Sequence, residues 1–592
     1  MITIQQISPT KLSMRCHYAY RERCRDIPGA EFDFSRKAWV APLDSLPCIQ
    51  AEFFGETFYK TPLWKLRGEP EPEKRPIEFQ GPVPEVPALA LRPYGYQEDG
   101  IRFLIDRLNN TGFAMNGDGV GLGKTIQAIG AMKWFVEHRG ARKILIVCKK
   151  SIKTQWASEI RRIAGWQNAP IFITGSTRKK RLAAYKGIQE ARNGILITNY
   201  HNFLHDSDEI NKVNYDICVI DEAHCVKGRG TKMNALIGET VRGKRTILLT
   251  GTPIMSRPDD IWGIVNMVSP EYFGKYEEFR DRYIVTEFGI YGEQIIGAQH
   301  LDELQEKIQK FIIMRSADDV ALELPKVRPS RKIYCEMDQT QMKMHELVRE
   351  RKEKLDEKKK EKLAPYIGPD GKIGPVPADI RGYINKLNEF GKMYIASLQF
   401  IADDPAVFRY MSPERGMNRT LQEMLPVSYK CSSKTEALVD IVSEIVDADE
   451  KVIVFCHLAS AARMLKDHFD RIEGANTVMY TGSESDEKRD ENIEAFRNDP
   501  DCRVIIGTEA MAEGLNLQVS RYVIHYEQAD TFAQREQRIG RARRIGSAFT
   551  HVNVIDLVTK GTSETGPSHD EIKMRKLAQD KRTSDAMLSR PA

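Results

Sequence analysis

No stretch of this sequence stays apolar for the ~18 residues that a membrane-spanning helix needs, so no membrane partner is expected. The opening stretch MITIQQISPTKLSMRC has no long apolar core, and it is not expected to act as a secretory leader. The ten cysteines contain no C-x-x-C pair, which argues against a zinc ribbon or a redox motif, and no structural zinc is expected. Cys148, Cys218 and Cys456 sit inside apolar, strand-like runs and read as buried thiols in a reducing, cytosol-like compartment. A strong excess of one charge is also missing. The net charge of +5 permits nucleic-acid binding without demonstrating it. What remains is an ordinary globular composition, 41% hydrophobic and 29% charged, spread over 592 residues. That length is enough for roughly three or four domains.

Residues 1–80 read as a small β-rich module. Its centre, IPGAEFDFSRKAWVAP (27–42), has a Pro-Gly turn, alternating apolar positions and a Trp. RGEPEPEKRPIEFQGPVPEVPAL (67–89) is rich in Pro and Glu and reads as an extended linker. Within 81–325, the runs KILIVC, GILIT, ICVID and TILLTG alternate with amphipathic stretches, the signature of βαβ units around a buried parallel sheet. A second such series, KVIVFC, NTVMYTG, RVIIGT, RYVIHYE and HVNVIDLV, fills 431–565. The fold class is therefore α/β, with two parallel-sheet lobes. Between them, 326–430 holds the charge run ERKEKLDEKKKEKL (350–363), either a solvated helix with i,i+4 ion pairs or a basic arm on nucleic acid. Residues 566–592 read as a frayed tail or a loosely docked helix.

The first lobe contains DGVGLGKTIQAIG (118–130). Gly123-Lys124-Thr125 fits the end of a phosphate-binding P-loop, but Asp118 stands where the opening glycine belongs. A strand-like TGFAMNGD precedes the loop and an amphipathic TIQAIGAMKWFVEH follows it. That order aims backbone N–H groups and a positive helix end at phosphate. Gly121, Leu122, Gly123, Lys124 and Thr125 would cradle ATP, with Lys124 on the β/γ-phosphates and the Thr125 hydroxyl on Mg²⁺. Asp118 is read as a turn residue at the loop's entrance. DICVIDEAH (216–224) then supplies Asp221 for Mg²⁺ at a strand's C-terminal edge, and Glu222 to orient and deprotonate water.

GLGKTIQAI, DEAH and LLTGTPI (248–254) together resemble the Swi/Snf branch of helicase superfamily two, and the resemblance covers about 91–560. It implies two RecA-like lobes, with helical protrusions in the long gap between motifs III and IV. LRPYGYQEDGIRFL (91–104) resembles the adenine-reading Q motif through Gln97, and Thr250, Gly251 and Thr252 match coupling motif III. In QRIGRARRIGS (537–547) the family's pair of arginine fingers falls on Arg541 and Arg544, with Arg538 and Arg543 read as general nucleic-acid contacts. GTEAMAEGLNLQ resembles motif V, with Glu513 and Gly514 in its E-G-[IL]-N-L. The resemblance also implies DNA contacts at Lys149, Lys150, Ser151, Thr198 and Asn199 in lobe one, and at His457, Gly507 and Thr508 in lobe two.

The 1–80 module weakly resembles the HARP-type module of annealing helicases. The adjoining RCHYAYRERCR (15–25) mixes Arg15, Arg21, Arg23 and Arg25 with Tyr18 and Tyr20, for phosphate contact and stacking or as a helix with its tyrosines packed inward. The expected activity is a DNA-dependent ATPase that translocates on duplex or branched DNA, for branch migration or strand annealing. The alternatives are a remodeller that strips proteins such as polymerase from DNA, an RNA-directed helicase, or an interaction protein with a dead site. Compact size points to a bacterial or phage setting.

Overall fold

Runs of Val, Ile and Leu that are apolar at every position, not at alternate ones, must be covered on both faces, and parallel strands flanked by helices satisfy that. In the computed structural model this builds two sheets. The structure describes residues 2–8, 10–15, 24–25, 27–33, 38–45, 48–49, 57–59, 78–251, 259–289, 292–315, 319–320, 325–367, 376–411, 417–512, 515–544, 547–562 and 566–588. The chain divides into two compact units, Met1–Glu78 and Phe79–Ser589.

The first unit is a five-stranded sheet in the order β3-β4-β2-β1-β5. Its strands are β1 (Ile2–Ser8), β2 (Lys11–Arg15), β3 (Glu31–Asp33), β4 (Ala38–Pro42) and β5 (Thr57–Tyr59). Antiparallel β3 and β4 pair Phe32 with Trp39, whose rings meet edge to face at 5.6 Å. Leu12, Met14, Ile27, Ala41 and Ile49 form its small core. Of the Arg/Tyr patch, only Arg25 and the backbone of Arg15 are described; the other members lie outside the described residues.

The first sheet of the second unit joins β6 (Phe113–Asn116), β7 (Lys143–Cys148), β8 (Ile171–Ile173), β9 (Gly194–Asn199), β10 (Ile217–Asp221) and β11 (Arg245–Leu249). An antiparallel hairpin, β12 (Ile284–Gly289) and β13 (Gly292–Ala298), stands apart, and β14 (Ile312–Ile313) closes the sheet edge. The order β14-β6-β11-β10-β7-β9-β8 is parallel throughout. Asp221 pairs with Leu249, and Leu249 with Asn116, so these three strands end at one level. Residues that begin loops after β6, β10 and β11 are thereby collected at one sheet edge, where ligands of open α/β sheets bind.

The second sheet joins β15 (Lys326–Val327), β16 (Arg331–Glu336), β17 (Val452–Phe455), β18 (Val478–Tyr480), β19 (Val504–Gly507), β20 (Tyr522–His525) and β21 (His551–Lys560). Its order is β15-β21-β20-β17-β19-β18, with β16 also on β21. Residues 326–336 therefore pair with the second lobe. Helices Gln339–Leu363 and Ala378–Asp403 lie against one another between the lobes in sequence. The charge run rides on the first of them with i,i+4 pairs such as Lys352–Asp356 at 2.8 Å. Lys359 is the exception: it is buried against Gly391, where an added Cβ would meet its Nζ at 3.3 Å.

The helix His569–Leu588 is anchored, not frayed. Asp570, buried at its start, accepts from the buried Nζ of Lys434 at 2.6 Å, and Asp403 accepts from the same ammonium at 2.5 Å. Burial works against the Lys434 charge, but the two carboxylates outweigh it and raise its pKa. This cluster ties the last helix to the end of Ala378–Asp403 and the start of helix Ser433–Asp447. Lys434→Met would leave two carboxylates buried and uncompensated, so a loss of about 3–5 kcal/mol in urea unfolding is expected. Cys148, Cys218 and Cys456 are fully buried free thiols. Among the described residues no helix is long and apolar enough to cross a membrane.

Candidate active site

Strand β6 runs into the loop 117–123 and then into the helix Lys124–Arg139. Gly121 (φ 87°) and Gly123 (φ 79°) are both left-handed, a conformation that costs glycine little. Gly123 also has no room for a side chain, since a Cβ would lie 2.4 Å from Nε2 of Gln97. No side chain caps this helix, and its first turn holds no acidic residue. Its leading N–H groups therefore suit an anion. Lys124 folds over the loop and donates to the carbonyls of Asp118 (2.7 Å) and Gly119 (3.2 Å). Burial lowers its pKa, while Glu222, Asp118 and Asp221 act to raise it. Thr125 is half-buried in the first turn, and Leu122, fully buried, offers the loop only its backbone.

Opposite the loop, β10 ends in Asp221. Its Oδ2 accepts from Trp156 Nε1 at 2.7 Å, and its carbonyl from the Tyr200 hydroxyl. Burial and the adjacent Glu222 push the Asp221 carboxyl up. Glu222 occupies a left-handed backbone (φ 55°), strain of the kind found at functional sites. Burial raises its carboxyl, but His224, Lys149 and Lys124 pull it lower overall. Its buried Oε2 lies 3.2 Å from His224 Nδ1 without hydrogen-bond geometry. The same Nδ1 lies 3.2 Å from Thr250 Oγ1, which joins the carboxylate pair to the residue after β11. Burial works against the His224 charge, but Cys225 and Glu222 raise it to about 9. Gly251 faces Lys124, since an added Cβ would meet Nζ at 3.4 Å. Left-handed glycines, a lysine, a hydroxyl and two carboxylates fit a triphosphate with a divalent cation. Thr125 and Asp221 would hold Mg²⁺.

The second lobe brings its arginines to this edge. Val120 of the loop packs on Gly540, where a Cβ would come within 2.4 Å of Val120 Cγ1. A Cβ on Gly121 would be 3.1 Å from the Arg543 carbonyl. The positive charge of Arg541 is near enough to act on Lys124. Arg541 and Arg544 both donate to the Leu515 carbonyl, at 3.2 and 2.8 Å. Burial, then Arg541 and Arg497, depress the Arg544 pKa to about 9.

The SNF2-related domain model matches residues 96–367, and the helicase conserved C-terminal domain model matches 433–546. The chain carries the paired domains of a Swi/Snf-type superfamily-two ATPase. It is similar to the Bacillus subtilis protein YwqA, named for an ATP-dependent helicase/translocase, with 27% identity over 80% of this chain and 47% of that one. It is also similar to the SWI/SNF chromatin-remodeling complex subunit snf22 of Schizosaccharomyces pombe, 25% identical over 79% of this chain and 27% of the relative. A solved structure, the Sulfolobus solfataricus SWI2/SNF2 ATPase core with dsDNA, aligns with 85% of this chain and 93% of that one at 22% identity and TM-score 0.37. The chain spans less than half the length of these two curated relatives.

Several residues expected in this Swi/Snf-type site have their side chains engaged within the protein, Gln97 while lying against the loop itself. Gln97 is buried and its amide is spent locally. Its Oε1 accepts from the Tyr94 N–H (3.0 Å), closing a capping box, while Nε2 donates to the Tyr96 hydroxyl (3.0 Å) and Leu122 carbonyl (3.2 Å). Asp118 is no turn device: fully buried, it holds a bidentate pair with Arg315. Thr198 is fully buried beside Thr174, and Asn199 caps the helix Tyr200–Asn211, so neither side chain is displayed to nucleic acid. His457 is engaged by Gln528 and Lys573, and Thr508 is buried at the end of β19. Arg538 is fully buried on Glu509 and the Glu527 carbonyl, and Arg543 donates to the Pro325 carbonyl, so neither is a general nucleic-acid contact here. Lys150 and Ser151 are exposed at the loop after β7, with Lys150 3.3 Å from Asp486 of the other lobe. Thr252, Glu513 and Gly514 lie outside the described residues. Sequence reading missed Arg315, Trp156 and His224. Trp156 is signalled only as the aromatic in KKSIKTQWASEI, and His224 as the last letter of DEAH.

Proposed function

We propose that the protein hydrolyses ATP to translocate along DNA. The carrying observation is convergence: the loop lysine, the Asp221–Glu222 pair and the lobe-two arginines meet at one interlobe edge. In this reading Lys124 and the loop N–H groups bind the β- and γ-phosphates, and Glu222 orients the attacking water and takes its proton. Bound Mg²⁺ would neutralise developing phosphate charge. His224 carries the state of that carboxylate to Thr250, and Arg541 and Arg544 complete the site from the second lobe. Because the arginines belong to the other lobe, hydrolysis is tied to lobe closure.

DNA as the track rests on the Swi/Snf-type domains and on exposed Lys150 and Ser151 beside the cleft. Such backbone contacts carry charge and little sequence information. The finer reading is that the β-rich module 1–80 directs the motor to forked or branched DNA for branch migration or annealing, in a cytoplasmic, bacterial or phage setting. Its support is the Phe32–Trp39 hairpin at the heart of the HARP-like stretch. ATP turnover measured with single-stranded, duplex and forked DNA and with RNA tests both levels. The expected order is forked above duplex DNA, with no response to RNA and loss of the fork preference on removal of 1–80. Stimulation by RNA alone would overturn the DNA reading, and a fork preference that survives truncation would remove the module's role.

A further inference from the structure

Arg315 leaves the first sheet just after β14, 197 residues from Asp118 in sequence, yet it is built into the nucleotide loop. Its backbone continues the β14 ladder. Met115, Gly117 and Gly119 donate to the carbonyls of Phe311, Ile313 and Arg315 at 2.8, 2.8 and 2.9 Å. The segment that exits the lobe is thus zipped to the segment that enters the phosphate loop. The guanidinium then grips Asp118 at 3.0 and 2.6 Å, Gln127 Oε1 at 3.0 Å and the Tyr96 carbonyl. Gln127, on the first turns of the loop's helix, returns a bond to Asp118 at 2.9 Å and accepts from Asn116 at 2.7 Å. Asp118 and Gln127 are fully buried and Arg315 nearly so. Gly100 leaves the space the cluster needs: an added Cβ would stand 1.8 Å from Gln127 Oε1 and 2.8 Å from Arg315 Nη2.

Pro325 and Lys326 touch the other half of the site. Pro325 accepts from Arg543 Nε at 2.9 Å, and Lys326 then donates to the Thr550 carbonyl at 2.9 Å as β15 joins β21. Arg315 is therefore fastened to the phosphate loop, and Pro325 to the arginine segment. Arginine is the residue for this task, since its planar fork holds a carboxylate and two further acceptors at once and a lysine does not.

We infer that Arg315 is a positioning residue for ATP, locking the exit of the first sheet to the phosphate loop so that the loop keeps the geometry that nucleotide binding needs. The inference rests on the nucleotide reading above. It is tested on the full chain with saturating duplex DNA, comparing wild type with Arg315→Lys, Arg315→Gln, Asp118→Asn and Gly100→Ala. Loss of charged hydrogen bonds should raise the KM for ATP at least about tenfold in Arg315→Gln. There kcat should stay within about threefold, and nucleotide-free DNA affinity should be unchanged. Arg315→Lys should recover part of that KM. Asp118→Asn should match Arg315→Gln, with the double variant no worse than either, because they remove one coupled unit. Gly100→Ala should raise KM without deleting a charge. A wild-type KM in Arg315→Lys and Gly100→Ala, or a parallel fall of kcat, DNA affinity and melting temperature in all variants, would overturn the inference. Wild-type turnover that Lys124→Ala removes secures the nucleotide reading separately; no wild-type turnover at all would fell both.

Discussion

Glu222→Gln is expected to reduce DNA-stimulated ATP turnover by about 10²–10⁴-fold, the range a positioned general base contributes. Its side chain keeps the shape of glutamate, so the left-handed turn at φ 55° and the packing around it should survive. What is lost is the acceptor. The carboxylate is held in its charged form by His224 and two lysines, and an amide takes no proton from water. ATP should still bind, because the loop, Lys124 and Thr125 are untouched. Lys124→Ala should reach the same endpoint by a different route, removing the ammonium that lies over the loop and weakening nucleotide binding itself. Both variants should bind DNA like the wild type when nucleotide is absent. Phosphate release and duplex-DNA anisotropy, measured on the same preparations, check this. Wild-type turnover in either variant sinks the site assignment.

The candidate site at the sheet edge was legible in the sequence because each part is local. A glycine-rich turn before a helix and a carboxylate pair after an apolar run are contiguous patterns, and each places its chemistry on residues adjacent in sequence. The sheets were legible for the same reason: short runs such as KILIVC and ICVID are apolar at consecutive positions, as strands covered on both faces are. The partner of Asp118 was not legible. Arg315 follows an apolar pair by two residues and looks like any exit residue, and nothing local links it to a loop so far upstream. Asp118 consequently read only as a turn residue at the loop's entrance, when burial had made it the acceptor for a distant cation. Motif matching erred in the opposite direction at Thr198 and Asn199. Small polar residues at a strand end serve as helix caps as readily as they serve a ligand, and here Asn199 accepts from the Asn202 N–H at 2.9 Å. The short strands β15 and β16 escaped notice because a polar edge segment takes its pairing from β21 and not from its own composition.

Arg541→Ala is expected to lower kcat by about 10³–10⁵-fold, the worth of an arginine finger on a transferring phosphoryl group. The loss should fall on kcat more than on ATP affinity, because the residues that grip the phosphates belong to the first lobe. Arg544 is the sharper case. Its charge is buried beside the like charge of Arg541, its Nε has no hydrogen-bond partner, and its pKa falls to about 9. Arg544, sharing the Leu515 carbonyl with Arg541 and with its own Nε unpartnered, is poorly compensated. A phosphate brought between the lobes is the charge that would relieve it. Removing Arg541 should therefore cost turnover and also ease the repulsion on Arg544, and because the two act on one phosphate the double variant should be little slower than the worse single one. Arg544→Lys should not restore activity, since a lysine keeps the charge and lacks the fork. Single-turnover hydrolysis with nucleotide affinity measured alongside separates these terms. Full activity in Arg544→Lys, or a purely additive double variant, would show that the two arginines act as independent positive charges and not as one paired site.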